Sequence, residues 1–186
     1  MIDKNAVATK LLWIDLEMTG LDSRSDVILE VAAEVTDFAF TPIASYEAII
    51  MQPEDKLANM NEWCVEQHTK SGLLDRLRNE GRAETDVINE LTTFIAANFA
   101  DEPVILAGNS IHNDRQFIKF WWPPVDQLLH YRMLDVSSFK IIMQSKYGVM
   151  HQKKEVHRAY DDIHASILEL KEYLDWLQDQ TKVYES

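Results

Sequence analysis

The chain is short of the residues that cross-link or loosen a fold: its 186 residues include one cysteine, five glycines and five prolines. A lone Cys64 cannot form an intrachain disulfide, and no charged-then-apolar leader precedes Trp13, so the pattern points to a reducing cytoplasm. Long apolar runs are missing as well. None approaches the ~20 residues that a membrane-spanning helix needs, which predicts a soluble protein with no membrane partner. Cations are scarce too: 18 Lys and Arg stand against 31 Asp and Glu, for a net charge of −13. Proteins that grip long nucleic acid usually carry a basic stripe that displaces counterions. This balance therefore argues against extended contact with a duplex and favours a small substrate or a few phosphate contacts backed by metal. There is no repeat, low-complexity tract or linker, and 46% hydrophobic residues predict one packed domain over residues 1–186.

Against this background the run Leu11 to Gly20 stands out. Its apolar residues read as a buried strand, yet Asp15 and Glu17 sit inside it. Side chains alternate across a strand, so these two acids share one face while Ile14, Leu16 and Met18 take the other. Two like charges held about 4 Å apart repel by about 4 kcal/mol at an effective dielectric near 20. A hard divalent cation such as magnesium or manganese, which prefers oxygen ligands, would relieve that repulsion. Taken alone, such a triplet is usually a strand end whose acids reach solvent, here beside Gly20.

Further segments add acids. A second buried strand at Val104 to Ala107 precedes a short helix ended by Pro123 and Pro124, with Asp114 in its first turn, where an acid also suits the helix dipole. The last helix, from about Arg158 to Gln178, carries an apolar stripe through Ala159, Ile163, Ile167, Leu170, Leu174 and Leu177. Asp162 falls roughly 90° from the centre of that stripe and borders the core, while Asp161, roughly 170° away, faces water. His157 can share a pocket with Asp162 if it stands in the loop before the first turn. Strands are also expected at Val27 to Phe38, Ala44 to Met51 and Tyr131 to Asp135, and helices at Asn61 to Leu77 and Glu84 to Asn98. Together they predict an α/β fold: an antiparallel meander completed by parallel strands into a mixed sheet of about five strands, flanked by helices.

The order Asp15-x-Glu17, Asp114, His157-x4-Asp162 resembles the DEDDh 3′-to-5′ exonucleases, which have a ribonuclease-H-like fold. Five blocks in order narrow the resemblance to the oligoribonuclease family over nearly the whole chain. They are Asp15 to Asp22, His68 to Leu73, Gly108 to Asp114, Tyr131 to Ser137 and His157 to Ile163. Tyr160, where an aliphatic residue is expected, and the aromatic run Trp121-Trp122 depart from the family pattern without touching a proposed ligand.

The resemblance implies that very short single-stranded RNA, dinucleotides in particular, is degraded to nucleoside 5′-monophosphates. It makes Asp15, Glu17, Asp114 and Asp162 ligands of two divalent ions, Mg2+ or Mn2+, and His157 the general base. Leu21 would wedge against the bases and Trp63 stack nearby, although on sequence alone Trp63 as core filling fits nearly as well. Ser110, Arg132 and Ser137 match positions that cap a terminal 5′ phosphate, with Tyr131 and Arg132 reaching across from a second subunit of a homodimer. His68 falls among the substrate-binding positions, where the residues alone would give a buried imidazole. Two rivals use the same motifs: a DNA 3′-to-5′ exonuclease of the proofreading type, and a nucleotide-binding module that has lost its chemistry.

Overall fold

The computed structural model describes residues 7–151 and 158–184. In chain order the elements are β1 (Lys10–Met18), β2 (Ile28–Asp37), β3 (Pro42–Ile49), α1 (Glu54–Ala58), α2 (Glu62–Lys70), α3 (Leu73–Glu80) and α4 (Glu84–Phe99). There follow β4 (Val104–Gly108), α5 (His112–Trp121), α6 (Pro123–Asp126), β5 (Leu129–Asp135), α7 (Val136–Tyr147) and α8 (Ala159–Tyr184). The five strands form one sheet in the order β3-β2-β1-β4-β5, and β1 occupies its centre. β1 pairs antiparallel with β2 and parallel with β4, β2 pairs antiparallel with β3, and β5 runs parallel to β4. The expected mixed sheet flanked by helices is the one observed.

β1 shows how the sequence builds two cores from one strand. Leu12, Ile14 and Leu16 pack on one face against Val87, Leu91 and Ile95 of α4 and Phe117 and Ile118 of α5. Leu11 and Trp13 pack on the other against Ala159, Ile163, Ile167 and Leu170 of α8. Period-two alternation carries Asp15 and Glu17 onto the Trp13 face, at the carboxyl end of the strand, where α8 begins. That is the end at which open α/β sheets leave room for a ligand.

Three expectations need correction. The helix expected from Asn61 to Leu77 is two helices, because Gly72 takes a left-handed φ of 75° and ends the right-handed run between α2 and α3. The last strand begins at Leu129, and the helix that follows it, α7, carries no clean apolar period to announce it. On α8 the stripe holds through Leu170, but Leu174 is exposed and Tyr173 is buried in its stead. The buried face of α8 also takes in Ser166 and Glu169, polar residues that an apolar count passes over.

Candidate active site

β1 and the first turn of α8 bring three of the expected ligands together. Asp15, Glu17 and Asp162 each offer a carboxylate oxygen, and these oxygens all lie within 4.8 Å of one another. Asp162 is 9% exposed at the border of the core, and Asp161 faces solvent, as the helical phase required. The donor set consists of oxygen alone and carries charge that a divalent cation can neutralise, so it fits a hard metal ion.

Asp114 joins them through the backbone. β4 pairs with β1 at Leu11, Leu12 and Trp13, and beyond that register the Leu16 N–H donates instead to Asp114 Oδ1 at 3.0 Å. The carboxylate is thereby fixed to the strand between Asp15 and Glu17. Burial pushes the Asp114 carboxyl up to about 7; the Leu16 N–H opposes the shift and the charge of Asp135 adds to it. Capping of α5, the simpler role for an acid in a first turn, does not describe a side chain turned into the sheet.

His68 backs the cluster from α2. Its Nε2 donates to the Met18 carbonyl at 2.8 Å, and its Nδ1 lies 3.9 Å from Glu17 Oε2. Burial holds its pKa below the ordinary imidazole value. Glu17, Leu21, Trp63, Cys64 and His68 line a pocket of about 220 Å3 beside the acids. Trp63 is 62% exposed and Leu21 80%, so neither fills the core; both stand at the rim.

Asp26 shapes the loop that carries Leu21. Its carboxylate accepts from the Thr19 hydroxyl at 3.0 Å and from the Asp22 N–H at 2.9 Å. A Cβ on Gly20 would come within 2.4 Å of that carboxylate, which is why glycine fits there.

Of the residues expected to cap a phosphate, Ser110 and Ser137 lie together. Ser110, at an unusual φ of 51°, donates its N–H to Asp135 Oδ1 and to Ser137 Oγ, at 3.0 and 2.9 Å. The Ser110 and Ser137 hydroxyl oxygens are 3.0 Å apart. Tyr131 and Arg132 are exposed on the edge strand β5, with the Arg132 guanidinium 5.3 Å over the Tyr131 ring. His157, the expected base, lies outside the described residues.

Sequence reasoning passed over Asn109, Asp135, Glu169 and Asp26, which hold these side chains in place. Asn109 and Asp135 fall within the family blocks, and Asp135 also left a local signal as the acid two residues before Ser137 at the start of α7, accepting the Ser137 N–H at 2.9 Å.

Comparison with known proteins agrees with this geometry. Residues 12–170 match the RNase_T exonuclease family. An oligoribonuclease of Francisella tularensis subsp. tularensis is 44% identical over 168 residues, covering 89% of this chain and 94% of the relative. That of Francisella tularensis subsp. novicida is 41% identical over the same coverage. Among solved structures, the zinc-bound complex of Escherichia coli ExoI with single-stranded DNA superposes with a TM-score of 0.69 at 14% identity. The match covers 96% of this chain and 43% of that one, and at such low identity it speaks for the fold. A central strand presenting two acids toward a third on the last helix, the exonuclease match and 44% identity along most of the chain lead to one assignment: the chain belongs to the oligoribonuclease family of exonucleases.

Proposed function

We propose that this chain, acting as one exonuclease domain over residues 1–186, hydrolyses very short single-stranded RNA, dinucleotides above all, from the 3′ end to nucleoside 5′-monophosphates. The observation that carries the proposal is the convergence of Asp15, Glu17 and Asp162, with Asp114 tied to the strand between them. These four residues would hold two divalent ions, Mg2+ or Mn2+. Bound there, the ions supply an activated water and charge neutralisation at the leaving oxygen.

The remaining work falls to the chain's own groups. His157 takes the proton of the attacking water, a role that suits an imidazole near neutral pH and that rests on the family resemblance. As the new bond to phosphorus forms, the bond to the upstream 3′ oxygen breaks, and that oxygen leaves as a hydroxyl once protonated. Trp63 and Leu21, exposed at the rim of the pocket, flank the bases, and stacking tolerates any sequence. Ser110, Ser137 and Arg132 receive a terminal 5′ phosphate, which would turn longer chains away, and His68, fixed to the Met18 carbonyl in the pocket wall, completes the substrate-binding set. A net charge of −13 disfavours extended contact with a long strand.

Two features support a homodimer. β5 is an edge strand that exposes Tyr131 at 67% and Met133 at 38%, and α7, the next element, exposes Ile141 and Ile142. An open edge flanked by apolar side chains suits pairing with a second copy, whose Tyr131 and Arg132 could then complete the site. A cytoplasmic location fits the single unpaired thiol of Cys64. Among the described residues no helix is long and apolar enough to cross a membrane.

The test compares turnover of an RNA dinucleotide, the matching DNA dinucleotide and a long RNA. The RNA dinucleotide is expected to be cleaved fastest. Faster digestion of the long RNA would refute the short-substrate proposal, and faster digestion of the DNA would refute the RNA preference.

A further inference from the structure

Behind the two serines of the cap runs a chain of hydrogen bonds that none of the roles above uses. Ser137 Oγ donates to Asn109 Oδ1 at 3.2 Å. Asn109 Nδ2 donates to Ser166 Oγ at 3.0 Å and to Glu169 Oε2 at 3.1 Å. Glu169 Oε1 accepts from the Tyr173 hydroxyl at 2.8 Å and lies 3.5 Å from Lys140 Nζ. Glu169 is 1% exposed, an acid on the inner face of α8 that takes no part in the ligand cluster.

Donor and acceptor counting gives the chain a direction. An ionised carboxylate accepts and cannot donate, so the Asn109 amide must turn its nitrogen toward Glu169 and its oxygen toward Ser137. The single Ser137 proton is thereby committed to Asn109, and Ser137 Oγ can only accept from its other neighbours. It accepts the Ser110 N–H, and of the two hydroxyls 3.0 Å apart Ser110 is left as the donor. Ser137 is therefore a fixed post, and Ser110 carries the hydroxyl proton that can swing to an arriving anion at the loss of one bond. Buried hydrogen bonds to a charged group are the strong ones, so the far end of the chain is anchored firmly.

We propose that Glu169 is a positioning residue for 5′-end recognition: through Asn109 and Ser137 it aims the Ser110 hydroxyl at the terminal phosphate of the substrate. This rests on the assignment of Ser110 and Ser137 to the phosphate cap. Replacing the carboxylate by an amide reverses the chain. Lys140 favours an oxygen on its own side of residue 169, which turns an NH2 group toward Asn109. Asn109 then flips, presents its nitrogen to Ser137, and releases the proton of Ser137 from its post.

The experiment measures kcat and KM for two RNA dinucleotides that differ only at the 5′ end, one phosphorylated and one hydroxylated, with the full chain in Mg2+. The unaltered protein is expected to prefer the phosphorylated form. Glu169→Gln is expected to cut that preference roughly tenfold, with the change falling on KM for the phosphorylated dinucleotide. Asn109→Ala leaves Glu169 with Tyr173 and Lys140 but removes the acceptor for Ser137, and is expected to do the same. It also serves if thermal melting shows Glu169→Gln unfolded. A folded variant that keeps the full preference, or loses both substrates equally through kcat, would overturn the positioning role while leaving the cap intact. Equal kcat/KM for the two dinucleotides in the unaltered protein would overturn the cap, and the role of Glu169 with it.

Discussion

Glu17 and Glu30 face each other across β1 and β2, one register pair in the same sheet, yet the fold treats them differently. Glu30 is buried, and Arg76 Nη1 reaches it at 2.8 Å from α3. Burial raises the pKa of its carboxyl and the Arg76 charge pulls it down. Glu17 is set instead with Asp15 and Asp162, three carboxylates within 4.8 Å. One acid is matched by a cation belonging to the protein, the other is grouped with more acids. Three carboxylate oxygens this close form a donor set that fits a divalent cation, and the contrast separates a structural ion pair from a candidate metal centre.

The largest expected effect breaks the acidic side of this contrast. Asp15→Asn should abolish hydrolysis in a steady-state assay, yet raise the metal-free melting temperature by about 2 to 4 °C, because one repelling charge is gone. Retained activity would remove Asp15 from the mechanism. Next, Arg76→Met takes the ion-pair partner from buried Glu30, leaving it the Ala159 N–H and the charge of Arg158, and should cost about 2 kcal/mol in denaturant unfolding, with Glu30→Gln restoring most of it in the double variant. If Arg76→Met is neutral, the ion pair is not what makes Glu30 tolerable.

A third test uses pH. The Asp114 carboxyl titrates at about 7 in the folded chain, raised by burial, and near 3.9 when unfolded. The folded state thus holds a proton that the unfolded state has released, so the stability associated with this group is fully present below about pH 4. It is lost as pH rises toward 7. Metal-free protein should melt progressively lower over that range relative to Asp114→Asn, in which the loss disappears. Parallel curves for the two proteins would contradict the burial of Asp114. The smallest effect concerns the pocket rim: Trp63→Ala should raise KM for an RNA dinucleotide about fivefold, the low end of what a stacking ring contributes, because Trp63 is largely exposed. An unchanged KM would return Trp63 to a purely local role.

Much of this arrangement was legible in the sequence, for reasons of period. Asp15 and Glu17 interrupt an apolar strand at spacing two, and Asp162 sits at the edge of an apolar stripe at spacing near 3.6, so both faces follow from geometry alone. What was hidden has no period. The bond from Asp114 to Leu16 joins residues 98 apart in the chain. The line from Ser137 through Asn109 to Glu169 connects α7, the turn after β4 and α8 through polar side chains, which an apolar count scores as surface. The break at Gly72 is a left-handed backbone angle whose signal, the Ser71-Gly72 pair, a count of apolar residues passes over.

Calorimetric titration of Mn2+ into metal-free protein tests the central contrast most directly. Two ions per chain are expected. Asp15→Asn should lose at least one of them, and Arg76→Met, altered beside Glu30, should keep both. A chain that binds no Mn2+, or an Asp15→Asn variant that binds it as tightly as the unaltered protein, would contradict the account.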